Sequence, residues 1–284
     1  MKTITLKSGI TLGYNEFGSG GRYLLAASQF INSKIHYTID LAKEGFHVFQ
    51  IRIRGYAPST EITEDLGEKW YDTWAQDICD FADAMEIDTF FYTGVSHGAG
   101  IGWYLSLYHQ ERLRGFFCCV GGPHSKDGED TGAARMMTIN ASQSPETWKA
   151  YIDKKIPYRT AGYQKMVRDG KYTQAEADEA VKEQYDWWMA MPPHAARYNP
   201  KKPFPFCKTE EELIKVLSQS RVPTLMIGGM QDDISTAENM VRSCRAVKNS
   251  KLVIYEDGTH AVMQEYQTEC VRDIVNFTKD RGLW

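Results

Sequence analysis

The sequence predicts an α/β fold: a mostly parallel, eight-stranded sheet flanked by helices, with a helical block inserted in the middle. Three observations carry this prediction. Short apolar segments rich in β-branched and aromatic residues alternate with longer amphipathic segments, first up to about residue 122 and again from residue 222 onward. One strand-like segment, Phe90-Phe91-Tyr92-Thr93-Gly94-Val95, runs directly into Ser96-His97-Gly98-Ala99-Gly100, small residues that open a helix. Between about His124 and Ser220 the alternation stops, and the chain reads as polar helices carrying large aromatics.

The elements follow in order. Lys2 to Leu6 and Ile10 to Tyr14 alternate apolar and polar residues around Ser8-Gly9, which predicts a hairpin at an antiparallel edge. Tyr23 to Ala27 reads as a buried strand. Ser33 to Glu44 carries Ile35, Ile39 and Leu41 at helical spacing, with Gly45 as C-cap. His47 to Ile53 is the next strand, and Trp70 to Met85 an amphipathic helix with Trp70, Trp74, Ile78 and Phe81 near one face. After the Ser96 helix, Gly115 to Gly122 is a further buried strand. Four helices are expected in the inserted block: Pro145 to Lys155, Gly162 to Asp169, Gln174 to Met191 and Thr209 to Gln219. Thr173-Gln174-Ala175-Glu176 has the form of a capping box, and Pro192-Pro193 ends the helix before it. Val222 to Gly229 and Lys251 to Tyr255 are the last strands, Ala237 to Val247 and Val262 to Asp280 the last helices. The domain boundaries expected are a core of residues 1–123 and 221–284 and a helical insertion of residues 124–220.

Bulk properties narrow the function. A formal net charge of −4 argues against a general nucleic-acid binder. No apolar run approaches the ~18 residues of a membrane span, and the first residues lack a signal-peptide core, so a cytoplasmic protein is expected. The six cysteines (Cys79, Cys118, Cys119, Cys207, Cys244, Cys270) match no zinc spacing, and Cys118-Cys119 reads as a pair of buried thiols. No metal or organic cofactor is expected. The expected partner is a small-molecule substrate, with neither nucleic acid nor membrane. A homodimer is compatible with the sequence.

The motif at the strand-to-helix junction, Gly94-Val95-Ser96-His97-Gly98, has the pattern of a nucleophile elbow. Such a turn crowds the backbone two residues before and after the serine, where glycine has no Cβ to clash. A serine hydroxyl is a weak nucleophile at neutral pH. It needs a histidine base, and the base needs an acid to hold its tautomer. Asp232 and Asp233 follow the strand ending in Gly228-Gly229. His260 follows the last strand and is the one histidine that is both after the acid and at a strand exit.

These pieces together resemble the α/β-hydrolase superfamily, specifically members with an inserted cap. The resemblance rests on Gly94-Val95-Ser96-His97-Gly98, Arg54-Gly55-Tyr56-Ala57-Pro58-Ser59, Gly229-Met230-Gln231-Asp232 and Gly258-Thr259-His260. It implies Ser96 as nucleophile, His260 as base and Asp232 as acid, with Asp233 the alternative at that loop and Asp127 a more remote one. It also implies the backbone N–H of His97 as one oxyanion donor. The family usually carries His-Gly after its third strand, where this chain reads Ala26-Ala27-Ser28-Gln29-Phe30. The second donor is therefore expected from the backbone of Ser28 or Gln29. Arg52 stands where the family often has an acid, and reads either as a structural ion-pair partner or as a contact for an acidic substrate group. His124, Tyr56, Trp187, Trp188 and Met191 are candidate substrate contacts, and Trp103 a core residue or part of the insertion's interface.

The function these residues imply is a serine hydrolase. The expected bond is an ester or lactone of a largely apolar, ring-containing small molecule, cleaved through an acyl-enzyme. Cleavage of a carbon–carbon bond in a β-diketone, a hydroxynitrile-lyase-like reaction, and a ligand receptor on the same fold are the alternatives that the sequence leaves open.

Overall fold

The computed structural model describes residues 1–126, 133–197 and 202–284. Strands β1 (Lys2–Thr5) and β2 (Thr11–Phe17) form the N-terminal hairpin, followed by β3 (Tyr23–Ser28), α1 (Tyr37–Lys43), β4 (His47–Arg52) and α2 (Trp70–Ala84). Strand β5 (Phe90–Val95), α3 (His97–Tyr108) and β6 (Leu113–Cys119) come next. Helices α4 (Ala133–Ala141), α5 (Pro145–Arg168), α6 (Gln174–Ala190), α7 (Pro193–Arg197) and α8 (Glu210–Leu217) lie between β6 and β7 (Thr224–Gly229). The chain closes with α9 (Ala237–Ala246), β8 (Ser250–Tyr255), α10 (Val262–Glu265) and α11 (Gln267–Asp280). The eight strands form one sheet in the order β1-β2-β4-β3-β5-β6-β7-β8. Only the pairings of β2 with β1 and with β4 are antiparallel.

Strand periodicity sorts side chains between two cores. Phe90, Tyr92, Phe116 and Cys118 face one side, where they pack with Trp74 and Trp103. Phe91, Phe117 and Cys119 face the other, against Ile274 and Phe277 of α11. Each of these large side chains contributes about 1.5–3 kcal/mol by leaving water. Trp103 is therefore a core residue, its indole N–H donating to the Gly121 carbonyl at 2.7 Å. Cys118 and Cys119 are fully buried, and burial pushes the Cys119 thiol up to about 12, which leaves it protonated and unreactive.

Several boundaries differ from those the sequence implies. Pro145 to Lys155 and Gly162 to Asp169 are parts of one helix, α5, which runs through Pro157. Gly162 is packed so closely that a Cβ there would lie 2.6 Å from Cβ of Gln264, so this glycine serves helix contact rather than helix initiation. The helix expected from Val262 to Asp280 is broken at Tyr266 into α10 and α11. Helix α1 begins four residues late, because the Asn32 side chain accepts from the backbone N–H groups of Lys34 and Ile35 and ties that stretch into a turn. The capping box at Thr173 and Glu176 forms as expected. Asp127 lies outside the described residues. Among the described residues, no helix is long and apolar enough to cross a membrane.

The loop after β4 is pinned to α2 by an ion pair. Arg54 grips both oxygens of buried Asp77 through Nε and Nη2, the Nε contact measuring 2.6 Å. Burial pushes the Asp77 carboxyl up, and the Arg54 bonds pull it back down. Removing the acid would strand a partly buried guanidinium, at a cost of about 3 kcal/mol. Asp77→Ala is therefore expected to lower the denaturant midpoint markedly with little change in the slope of the unfolding transition. A midpoint within error of the parent would contradict this account.

Candidate active site

Ser96 sits at the junction of β5 and α3 with φ 55° and ψ −110°, a conformation that a non-glycine residue adopts only where its surroundings enforce it. The enforcement is visible in the glycines. A Cβ on Gly94 would lie 2.2 Å from the Gly98 carbonyl carbon, and one on Gly98 would lie 2.4 Å from the Ala27 carbonyl oxygen. The elbow thus closes on itself and against the end of β3. Its backbone is held by the Ser96 N–H donating to the Cys119 carbonyl at 3.0 Å and by the Gly100 N–H donating to the Ser96 carbonyl at 3.1 Å. His97 is the first residue of α3, where backbone N–H groups point along the helix axis toward its N-terminus and carry its partial positive charge.

Asp232 lies in the loop after β7 and His260 in the loop after β8. The two loops are fastened to each other. The Gln231 N–H donates to the Gly258 carbonyl at 2.8 Å, and a Cβ on Gly229 would lie 2.1 Å from that same oxygen. His260 Nδ1 stands 2.8 and 3.0 Å from the two Asp232 carboxylate oxygens. The carboxylate is buried, and its Oδ1 also accepts from the backbone N–H groups of Ile234 (2.8 Å) and Ser235 (3.0 Å). These bonds fix which carboxylate oxygen faces the ring and leave Nε2 as the outward nitrogen. Asp233, the neighbouring acid, is exposed and makes no bond to His260. On the other side of His260, Thr259 donates from its N–H and its hydroxyl to the two oxygens of Glu265, at 2.8 and 2.6 Å.

Ser96, His97, His124 and His260 open on one cavity of about 40 Å³, shared with Tyr71, Pro203, Ile234 and Ser235. It lies at the C-terminal ends of the central strands, and His124 and Pro203, both within the inserted block, are among the residues that line it. Tyr71, Ile234, Ser235 and Pro203 were not singled out by sequence reasoning. Ser235 had a signal, since it follows Asp232 in a turn the carboxylate itself closes. Tyr71 gave none, reading as one more aromatic on an amphipathic helix.

The remaining expected residues lie elsewhere on the same edge. Ser28 ends β3 beside Arg52 in the sheet register, and its carbonyl accepts from the Ile53 N–H at 3.1 Å. The Gln29 side chain donates to the Tyr56 hydroxyl at 2.8 Å. Arg52 has no carboxylate within ion-pair distance among the described residues, so the ion-pair reading is corrected. Its Nη1 donates to the Ala57 carbonyl at 2.9 Å, and its guanidinium lies against the Phe30 and Trp187 rings, which pack on each other. Trp187 packs on Phe30 and Tyr56. Trp188 packs on Trp148, which donates to its carbonyl, and Met191 is buried in the main core. None of Ser28, Gln29, Arg52, Tyr56, Trp187, Trp188 and Met191 lines the cavity at Ser96. Among the described residues no group of His, Cys, Asp and Glu is arranged to hold a metal ion.

Two histidines give the fold a pH dependence. Burial, with help from the nearby charges of Lys202 and His260, pushes His124 down to about 4. Burial likewise pushes His36, which caps α1, down to about 3. Each stays neutral in the folded chain while the unfolded chain takes up a proton near 6.5, so stability is fully present above that pH and falls as pH drops toward 4. The melting temperature is expected to decline steadily from pH 7 to pH 4.5, and His124→Asn to flatten the decline. A melting temperature independent of pH over that range, or a slope unchanged in the variant, would contradict this.

Comparison with known proteins fits the geometry. The family model for the alpha/beta hydrolase fold matches residues 32–265. The AB hydrolase superfamily protein YisY of Bacillus subtilis (strain 168) is 24% identical over 272 residues, covering 95% of this chain and 96% of its own. A thermophilic esterase from Thermogutta terrifontis superposes with a TM-score of 0.72 at 18% identity, covering 98% of each chain. The meta-cleavage product hydrolase of Pseudomonas fluorescens IP01 does so with a TM-score of 0.72 at 16% identity, covering 99% of this chain and 98% of that one. At such identities the structural likenesses show the fold and leave the reaction to the site. With its match to the family model spanning most of its length, the chain belongs to the alpha/beta hydrolase family.

Proposed function

We propose that this chain is a serine hydrolase that cleaves an ester or lactone of a small, largely apolar, ring-bearing molecule through an acyl-enzyme. The observation that carries the reading is the Asp232–His260 hydrogen bond with Ser96 and His260 opening on one cavity. In this reading the inserted helices act as a cap over the site. Ser96 Oγ attacks the substrate carbonyl while His260 Nε2 takes its proton. Asp232 holds the ring in the tautomer with hydrogen on Nδ1 and stabilises the imidazolium that forms. The tetrahedral oxyanion is held by the His97 N–H and by a backbone N–H of Ser28 or Gln29, since β3 ends against the elbow where Ala27 meets Gly98. His260 then returns the proton to the leaving alcohol and activates water to free the acid. His124, neutral above about pH 4, borders the reacting group without adding charge to it.

The test is hydrolysis of a panel of p-nitrophenyl esters and δ- and larger-ring lactones. Asp232→Asn is expected to lower kcat by about 10⁴ and Ser96→Ala by more, both with folded, stable protein. An Asp233→Asn variant should stay near the parent rate. Ester turnover that survives Ser96→Ala, or that depends on Asp233 rather than Asp232, would refute the assignment.

A further inference from the structure

Arg52 is the one feature of the active edge that the hydrolytic reading leaves unused. It ends β4, and in the register of the sheet it lies beside Ser28, the last residue of β3. The preceding residue of β3, Ala27, touches the elbow at Gly98. Arg52 is thus two strands from the nucleophile, about 10 Å at the ordinary strand spacing. Arg52 as a whole is only 7% exposed, yet it has no acidic partner within ion-pair distance among the described residues. The nearest carboxylate influence is Glu183, whose oxygens are engaged by the Ser33 N–H at 3.0 and 3.3 Å.

Arg54, two residues along the chain, provides the contrast. Arg54 uses its Nε and Nη2, the edge of the fork that matches a carboxylate, to take both oxygens of Asp77. On Arg52 the same edge makes no bond among the described residues, and neither nitrogen is sealed from solvent. Only Nη1 is engaged, to the Ala57 carbonyl. A single bond to a carbonyl needs no guanidinium. A buried cation without a counter-charge is unfavourable, and contacts with Phe30 and Trp187 at 5.6 and 5.8 Å offset that only in part. Tyr56, which accepts from Gln29, packs against Trp187.

We propose that Arg52 is a carboxylate subsite, so that the natural substrate is an ester or lactone bearing an acid group at the end remote from the scissile carbonyl. The inference rests on the hydrolase reading for the position of the reacting bond, but its test does not. Binding is measured by calorimetry on the Ser96→Ala protein, which needs no turnover, with monomethyl adipate and monomethyl suberate against their dimethyl esters as uncharged counterparts. The expected result is that a mono-acid binds about 10- to 100-fold more tightly than its neutral counterpart. Adding Arg52→Met should bring that ratio close to one. Arg52→Lys, which keeps the charge and spares the fold, should leave an intermediate ratio. Equal affinity for acid and neutral ester, no binding of any of the four probes, or a ratio that survives either substitution would overturn the subsite. If the parent enzyme shows no esterase activity while the mono-acid preference and its dependence on Arg52 remain, the hydrolase reading fails and the subsite stands.

Discussion

The close approach of backbone to backbone at the elbow is the constraint on which the rest of the site depends. Gly94 passes Gly98, and Gly98 passes Ala27, at distances that no side chain would permit. Those two approaches set three things at once. They force Ser96 into its strained conformation and lift its side chain off the sheet. They place the first N–H groups of α3 at its foot. They also bring the end of β3, and with it the stretch Ser28 to Phe30, against the nucleophile. A methyl group at either glycine would have to push the chain by more than an ångström in a core where neighbouring side chains are already in contact. The strain is tolerated because β5 is the middle of an eight-stranded sheet with a packed core on each face.

The second tight approach, between Gly229 and Gly258, does for His260 what the elbow does for Ser96. It ties the acid loop to the histidine loop, so that the orientation of His260 is inherited from the register of β7 and β8. Asp232 is held by two backbone N–H groups and by the imidazole, whose Nδ1 stands within hydrogen-bond distance of both its oxygens. The pair is thus preorganised before any substrate arrives, which is where most of the electrostatic advantage of such a site arises. From the inserted block, His124 and Pro203 border the cavity, and Trp187 lies against Arg52.

Much of this was legible in the sequence because it depends on local pattern. Strand–helix alternation, Gly-x-Ser-x-Gly and the order of serine, acid and histidine are all properties of short windows. The choice between Asp232 and Asp233 was open there, since both side chains leave the same loop, and it takes the burial of one and the exposure of the other to separate them. Pro157 and Gly162 suggested two helices where there is one, because a proline on an exposed helix face can be carried by the turns around it and a glycine can mark a contact. The lining of the cavity was less legible still. Tyr71 reaches it from α2 and Pro203 from beyond α7, and nothing in either segment announces that meeting. Of Trp187, Trp188 and Met191, one or two were expected to reach the pocket from the inserted block, but Trp188 and Met191 are taken up in packing, and Trp187 lies against Arg52. Arg52 was noticed for being a base in place of an acid, and only its surroundings show that no carboxylate among the described residues pairs with it.

The central claim is that Ser96 is an activated nucleophile. Treatment with a fluorophosphonate, followed by intact-mass measurement and peptide mapping, tests it most directly, because the reagent reacts only with a serine whose base is in place. The account predicts a single adduct on the peptide carrying Ser96, formed at a rate that drops by orders of magnitude in the His260→Ala protein. Labelling at another serine, or none on a folded protein, would contradict it.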